Sequence, residues 1–298
     1  PYLDLTHVSS RQLAGYKLDG YAKAPITYST LTEQDVERME KDGEVDAWVM
    51  ALPNGAAKPF VDAIEQGTKE RKGSAGSVIV DLSADYRFER DWTYGLPELY
   101  SREAIRASKR IANPGCYATS SQLLVAPLLE YVNRRAWPSV FGMSGYSGGG
   151  TVKGPTGPDG RPTFVPKITP ETLGGGVKPY ALTGHIHERE ASTHLSTLFD
   201  AVARADRLRA ERGAVVQRDR LGHVNAAERA AHGARCEAHV KDVKDQHGWV
   251  VGGFQVNKDG DRAVVVGGLD NLLKGAATQC LQNLNLALGY DEYTGIPN

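Results

Sequence analysis

Short apolar, β-branched runs alternate with polar stretches of helical period through the N-terminal third of this chain. "YLDLTHV" (2–8), "VDAWVMAL" (45–52) and "SVIVDLS" (77–83) are separated by segments such as "LTEQDVERMEKDG" and "KPFVDAIEQGTKE". Strands that alternate with helices predict βαβ units on a parallel sheet. In that architecture ligands bind beyond the carboxyl ends of the strands. The sequence places "LPNG" (52–55), "SADYR" (83–87) and "NPGC" (113–116) there, on one rim. With 298 residues the chain is long enough for two domains, or for one large domain with a substantial insertion.

The texture changes after residue 116. "YATSSQLLVAPLLEYVN" has helical spacing that Pro127 should interrupt, and "SVFGMSGYSGGG" (139–150) reads as a strand running into a glycine loop. "TVKGPTGPDGRPTFVPKITPETLGGG" is too rich in Pro and Gly to predict regular structure. "GWVVGGFQVNKDGDRAVVVGGLDN" predicts a hairpin around Lys-Asp-Gly-Asp, and "NLLKGAATQCLQNLNLALG" a closing helix. Residues 199–240 stand apart, with 11 Ala and 8 Arg and no Pro, Ile, Tyr or Trp. They read either as an exposed Arg-studded helix pair or as a stretch foreign to the fold.

Composition narrows the partners. The 35 basic and 36 acidic side chains nearly cancel, so no global field points to nucleic acid or an anionic membrane, and a small molecule is the expected ligand. Three cysteines without framework spacing argue for a reducing compartment rather than a disulfide scaffold. No apolar run nears the roughly 20 residues of a membrane helix, and a soluble protein is expected. The sequence opens at Pro1 inside a strand-like run, which predicts a fragment or a processed product.

One position invites covalent chemistry. Cys116 follows a Pro-Gly turn at the predicted start of a helix, where unpaired N–H groups and the helix dipole can lower a thiol pKa from about 8.5 to roughly 3.5–7.5. A buried structural cysteine is the competing reading; Cys236 and Cys280 are read that way. A nucleophilic thiol needs an acid/base, and "TGHIHERE" (183–190) offers His185 and His187, with Glu188 and Glu190 able to orient an imidazole. Histidines at i, i+2 diverge on a helix, so one of them should face the thiol. His-x-His also suits a metal, but no third ligand stands at a convincing spacing, and no metal is expected. The remaining histidines, His194 and His247 among them, read as solvated. "GYSGG" (145–149) matches the G-x-S-x-G elbow of serine hydrolases, yet Thr-Val-Lys-Gly-Pro soon follows and cannot form the helix that the elbow requires. Its glycines instead suit close backbone approach to an anionic or carbonyl substrate, with Lys153, Arg87 and Lys178 as sources of positive charge.

"ANPGCYATS", "DLSADYRF", "YGLPELY", "GYSGGG", "GHIHERE" and "DNLLKGAATQCLQNLNLALG" together resemble, in order, the N-acetyl-γ-glutamyl-phosphate reductases. The wording is most similar to the reductase half of fungal mitochondrial arginine-pathway precursors. The resemblance covers residues 1–198 and about 241–298. It implies an α/β fold with a Rossmann-like dinucleotide-binding domain (1–115 and 271–298) and an α+β catalytic domain (116–270), with 199–240 anomalous. The first βα unit and its glycine loop would lie upstream of Pro1. The implied activity is NADPH-dependent reduction of N-acetyl-glutamyl 5-phosphate to the 5-semialdehyde and phosphate, through a thioester on Cys116 with His187 as acid/base. The resemblance also puts His185, Glu190, Arg87, Ser144, Ser147 and Gly148 at the substrate, and Ser10, Arg11, Pro53, Asn54, Gly55 and Asn271 at NADP(H). It further implies a homo-oligomer, the acetylglutamate kinase of the same pathway as a partner, and a mitochondrial matrix location with the cytoplasm as alternative. An aspartate-semialdehyde dehydrogenase-like reductase and a non-catalytic copy are the competing functions.

Overall fold

The computed structural model describes residues 3–73, 75–133, 136–211 and 240–297. Local chemistry sets its first helices. Helix α1 (Glu33–Asp42) starts at a capping box in which the Thr32 hydroxyl accepts from the Asp35 N–H and the Asp35 carboxylate accepts from the Thr32 N–H. It stops at Gly43, whose φ of 70° is the left-handed turn that glycine adopts without steric cost. Strand β1 (Ala47–Met50) follows, then α2 (Lys58–Glu70) with proline in its first turn and β2 (Val78–Asp81), whose four residues are all buried. Next come β3 (Thr93–Tyr94), α3 (Arg102–Ala107) and β4 (Arg110–Ala112).

These four strands form one parallel sheet in the order β1-β2-β4-β3. Val36 and Met39 of α1 and Val61 and Ile64 of α2 join Trp48, Met50 and Ile79 in one core. Val78, Val80 and Ile111 join Ile105 of α3 and the last helix, α7 (Thr278–Ala287), in another, through Cys280, Leu284 and Leu286. Burial on both faces is why the strands read as near-continuous apolar runs. Because the strands are parallel, the turns after β1, β2 and β4 share one rim, as the alternation predicted.

Helix α4 (Cys116–Val125) rises from that rim and passes into a 3-10 turn at Ala126–Leu128, where Pro127 ends the α-helical ladder. Strands β5 (Thr151–Thr156) and β6 (Pro162–Pro166) form a hairpin, followed by the short helix α5 (Pro170–Leu173). Helix α6 (Ile186–Glu211) packs on α4, and β7 (Trp249–Val256) and β8 (Ala263–Leu269) form a second hairpin. Among the described residues no helix is long and apolar enough to cross a membrane.

Three sequence expectations fail, each for a non-local reason. Residues 3–8 form no strand; the segment makes only an isolated bridge at Ser9–Ser29, and no described strand flanks the free edge of β1 to pair with it. Residues 139–145 likewise pair with no strand among the described residues, and Phe141 is 92% exposed. The Pro/Gly-rich 151–166 does become a hairpin, because its prolines fall where a two-stranded sheet tolerates them: Pro155 at a register shift, Pro162 and Pro166 at strand ends. Most of the anomalous 199–240 stretch, Cys236 included, lies outside the described residues.

Candidate active site

Strand β4 delivers the chain to Asn113-Pro114-Gly115, and Gly115 caps α4 so that Cys116 is its first residue. The geometry at Gly115 is tight. A methyl group there would overlap the His187 Nε2 and come within 2.7 Å of an Arg87 guanidinium nitrogen. The absent side chain is therefore what lets His187 stand over the cysteine turn. Cys116 is also packed from the other side, since a Cβ on Gly275 would fall 2.6 Å from the Cys116 Cβ.

Beneath this turn lies a buried polar network. Glu190 has no exposed surface, and its Oε1 accepts from the Gly115 N–H at 2.9 Å and the Tyr94 hydroxyl at 2.8 Å. Its Oε2 accepts from the Arg87 guanidinium at 2.8 Å, while the other Arg87 nitrogens donate to the carbonyls of Asn113 at 2.9 Å and Leu82 at 2.8 Å. Gln122 donates to the Tyr94 hydroxyl at 2.7 Å and accepts from Tyr100 at 2.9 Å. Arg87 and Glu190, expected at the substrate, pair with each other and with backbone groups beneath the turn, because buried charges are tolerated only when paired and hydrogen-bonded.

The two histidines divide their positions as a helix start dictates. The His185 Nδ1 accepts from the His187 N–H at 3.1 Å and so caps α6. His187 turns inward with its Nδ1 buried and without a hydrogen-bond partner. The rings lie 4.8 Å apart, and Tyr117 and Tyr180 stand about 6 Å from His185. Tyr180 is held there by a loop in which Ala181 adopts a φ of 43°, a conformation that is rare outside glycine. Burial, then the Arg87 charge and His185, pull the His187 pKa down to about 4. It is a neutral base throughout the physiological range.

Cys116 departs from expectation. Burial raises its thiol above the ordinary value, outweighing the Tyr117 and Cys116 N–H groups and Arg87, which pull it down. The helix start helps the thiolate but does not win against desolvation. Cys280 is buried in the α7 core and pushed up to about 12 by burial alone.

The remaining candidates fall in two groups. The Ser147 hydroxyl donates to the Asn271 Oδ1 at 2.7 Å, and Ser144 and Asn271 both crowd the space above Gly148, so the exposed Ser144, Ser147 and Gly148 cluster with the half-buried Asn271. Asn271 directly precedes the segment that packs on Cys116. On the sheet rim, Gly55 (φ 84°) donates to Asp85 at 2.6 Å and Asn54 accepts from the Ala84 N–H at 2.9 Å, which ties the "LPNG" turn to the "SADYR" turn. Pro53 is exposed beside them. The Ser10 hydroxyl accepts from the Leu13 N–H at 3.2 Å, and Arg11 is exposed in that turn. No described distance joins Ser10 or Arg11 to Cys116. Among the described residues no group of three His, Cys, Asp or Glu side chains converges as a metal site.

Sequence reading missed Tyr94, Gln122 and two histidines. His194, read as solvated, stacks on Tyr94 at 3.5 Å and bonds the Arg87 carbonyl at 2.9 Å; His247 is buried against the Thr278 hydroxyl at 2.6 Å. A usable signal for Gln122 was its place in the apolar run "QLLV".

Comparison with known proteins places these features. Residues 1–108 match the family described as semialdehyde dehydrogenase, NAD binding domain, and residues 116–208 the family described as semialdehyde dehydrogenase, dimerisation domain. The chain is 47% identical to Protein arg-6, mitochondrial, of Neurospora crassa, over all of this chain and 34% of that protein, so it spans about a third of such fungal relatives. It is 41% identical to an N-acetyl-gamma-glutamyl-phosphate reductase of Stenotrophomonas maltophilia, over 100% of this chain and 91% of that one. A crystal structure of aspartate semialdehyde dehydrogenase II from Vibrio cholerae superposes with a TM-score of 0.55 at 13% identity, covering 96% of this chain and 90% of that one, and this likeness speaks for the fold. Identity of 41% over 91% of a bacterial reductase, together with the two semialdehyde dehydrogenase family matches, makes this chain, with its cysteine at a helix start, a member of the N-acetyl-γ-glutamyl-phosphate reductases within the semialdehyde dehydrogenase family.

Proposed function

We propose that this chain reduces N-acetyl-glutamyl 5-phosphate to N-acetylglutamate 5-semialdehyde with release of phosphate, using Cys116 as nucleophile and His187 as acid/base. The observation that carries this reading is the neutral, partly buried His187 directly above the Gly115–Cys116 turn. A thiol raised by burial needs a base at hand, and the His187 imidazole stands against the turn that carries it. The Cys116 sulfur, its proton passed to His187, adds to the acyl carbonyl carbon, and phosphate leaves with the C–O bond pair to give a thioester. NADPH, when bound, supplies the hydride that reduces that thioester carbonyl. The hemithioacetal then breaks its C–S bond, returning the electron pair to the Cys116 sulfur and freeing the aldehyde. The N–H groups at the start of α4 face the oxyanion at both tetrahedral stages.

The exposed Ser144, Ser147 and Gly148, and His185 at the start of α6, offer donors for the substrate, while Arg87 and Glu190 position the turn from below. Pro53, Asn54, Gly55 and Asn271 fit a nicotinamide cofactor, because the turn after β1 leaves open space within 4 Å of Gly55 at the carboxyl end of the sheet. Ser10 and Arg11 offer a hydroxyl and a guanidinium for a 2′-phosphate. Residues 1–115 with 271–298 would form the nucleotide half and 116–270 the catalytic half. Relatives named as mitochondrial support a mitochondrial matrix location, and the kinase that makes the acyl phosphate is the partner whose product this site consumes. Incubation with N-acetylglutamate semialdehyde, phosphate and NADP tests the reading. Phosphate-dependent NADPH formation, lost in Cys116→Ser, is expected; turnover of aspartate semialdehyde in its place would overturn the substrate.

A further inference from the structure

The five residues before α7, Leu273–Ala277, form a π-helical turn: the Gly275 N–H bonds the Asp270 carbonyl at 2.9 Å and the Ala277 N–H the Leu272 carbonyl at 2.8 Å, each five residues back. Such a wide turn is poorly favoured on its own and persists where its surroundings fix it. Here it lays Gly275 directly on Cys116, 3.2 Å from the Cys116 Cα at the Cβ position. The Asn113 side-chain amide, from the turn that presents Cys116, reaches the Ala276 carbonyl at 3.4 Å.

The side chain that anchors this turn is Lys274, which is 1% exposed. Its Nζ donates to the Glu98 Oε1 at 2.6 Å and to the Gln282 Oε1 at 2.8 Å. Gln282 in turn donates to Glu98 at 3.1 Å and to Glu292 at 2.7 Å, and Arg102 pairs with Glu292 at 2.7 Å. His247 and Tyr293 also face this cluster. The Lys274–Glu98 pair therefore sits in a built site that joins the "YGLPELY" segment, α7 and the C-terminal segment, and nothing in the reaction scheme uses it.

We propose that Lys274 is a positioning residue, whose buried pairing with Glu98 locks the π-turn so that Gly275 holds Cys116 in its desolvated, reactive geometry. This rests on the reading of Cys116 as nucleophile. Without the pair the turn relaxes toward α-helical register, Gly275 leaves Cys116, and water reaches the thiol. The thiol pKa then falls toward the ordinary value of about 8.5 while turnover drops, because an ångström-scale displacement costs up to about 10²-fold in rate.

The test is alkylation by iodoacetamide, mapped cysteine by cysteine across pH, alongside steady-state kinetics. It uses wild type, Lys274→Met, the double variant Lys274→Met/Glu98→Gln and the control Glu40→Gln. Glu40 is a fully buried carboxylate in a separate cluster with Trp48 and Ser77. In the Lys274 variants the Cys116 midpoint should fall, speeding its alkylation near neutral pH by roughly tenfold for each unit. Cys280 should stay slow, kcat should fall by about 10–10²-fold, and substrate KM should stay nearly constant. The control should leave Cys116 unchanged. The double variant leaves no unpaired buried charge and carries the test if the single variant does not fold. A wild-type Cys116 profile in the double variant overturns the proposal, as does a joint rise of Cys116 and Cys280, which marks general loss of structure. If no protein, wild type included, reduces the acyl phosphate, the functional reading fails while the alkylation profiles still decide the role of Lys274.

Discussion

At the residue scale the site is governed by desolvation. Cys116 gains from its helix start, yet burial raises its thiol, so alkylation should continue to accelerate above pH 8.5, the region where an ordinary thiol levels off. Cys280, pushed up to about 12, should remain unlabelled over the same range, and mass mapping of each cysteine against pH checks both. His187 moves the other way: its folded pKa of about 4 lies below the ordinary 6.5. Below pH 6.5 the unfolded chain takes up a proton that the folded chain refuses, so stability is lost as pH falls from about 6.5 through 4. His194 and His247, also lowered first by burial, add to that slope. The expected result is a shallower fall in urea unfolding free energy over this window for His187→Asn than for wild type. The same variant should lose roughly 10²–10⁴ in acyl transfer if His187 is the acid/base. His185→Asn, which removes a cap, should lose less; the reverse order would exchange the two roles.

At the element scale, a buried carboxylate ties α6 to the start of α4. Glu190 of α6 holds both the Gly115 N–H and Arg87, so Glu190→Ala leaves a buried guanidinium without its counter-charge. That loss should cost about 3–5 kcal/mol in chemical denaturation. A residue that only touched substrate would leave stability unchanged, which makes this measurement a direct check on its structural role. Gly115→Ala is a sharper probe of the same junction. Its methyl group would drive His187 off the turn, so turnover should fall by about 10²-fold with the fold retained by circular dichroism.

At the scale of the molecule, the sheet and its helices form a conventional core, but both hairpins are two-stranded and carry exposed apolar side chains. Val264 is 61% exposed, and Val251, Phe254 and Val266 between 41% and 47%. An isolated two-stranded hairpin is marginal in water, and exposed apolar strands invite pairing with another copy. With residues 116–208 matching a dimerisation domain, light scattering should give at least twice the monomer mass at micromolar concentration. A monomer under those conditions would refute the homo-oligomer. The N-terminal segment also touches the β5–β6 turn: the Tyr16 hydroxyl donates to the Gly160 carbonyl at 2.8 Å, and Arg161 pairs with Asp19.

The sequence by itself determined whatever depends on near neighbours. Thr32 with Asp35 and then Gly43 bound α1, the Lys-Asp-Gly-Asp turn made the β7–β8 hairpin, and Pro-Gly before Cys116 set that residue at a helix start. Its alternating pattern fixed the parallel sheet and hence a common rim for three turns. Tertiary structure decided what depends on partners distant in the chain. Whether residues 3–8 pair turns on the presence of a flanking strand, and whether 151–166 orders turns on where its prolines meet a neighbour. Arg87 is buried and paired because Glu190, 103 residues away, lies within hydrogen-bond reach. The Cys116 thiol rises rather than falls for the same kind of reason: helix dipoles are local and legible in sequence, whereas desolvation is the work of every segment that folds over the residue.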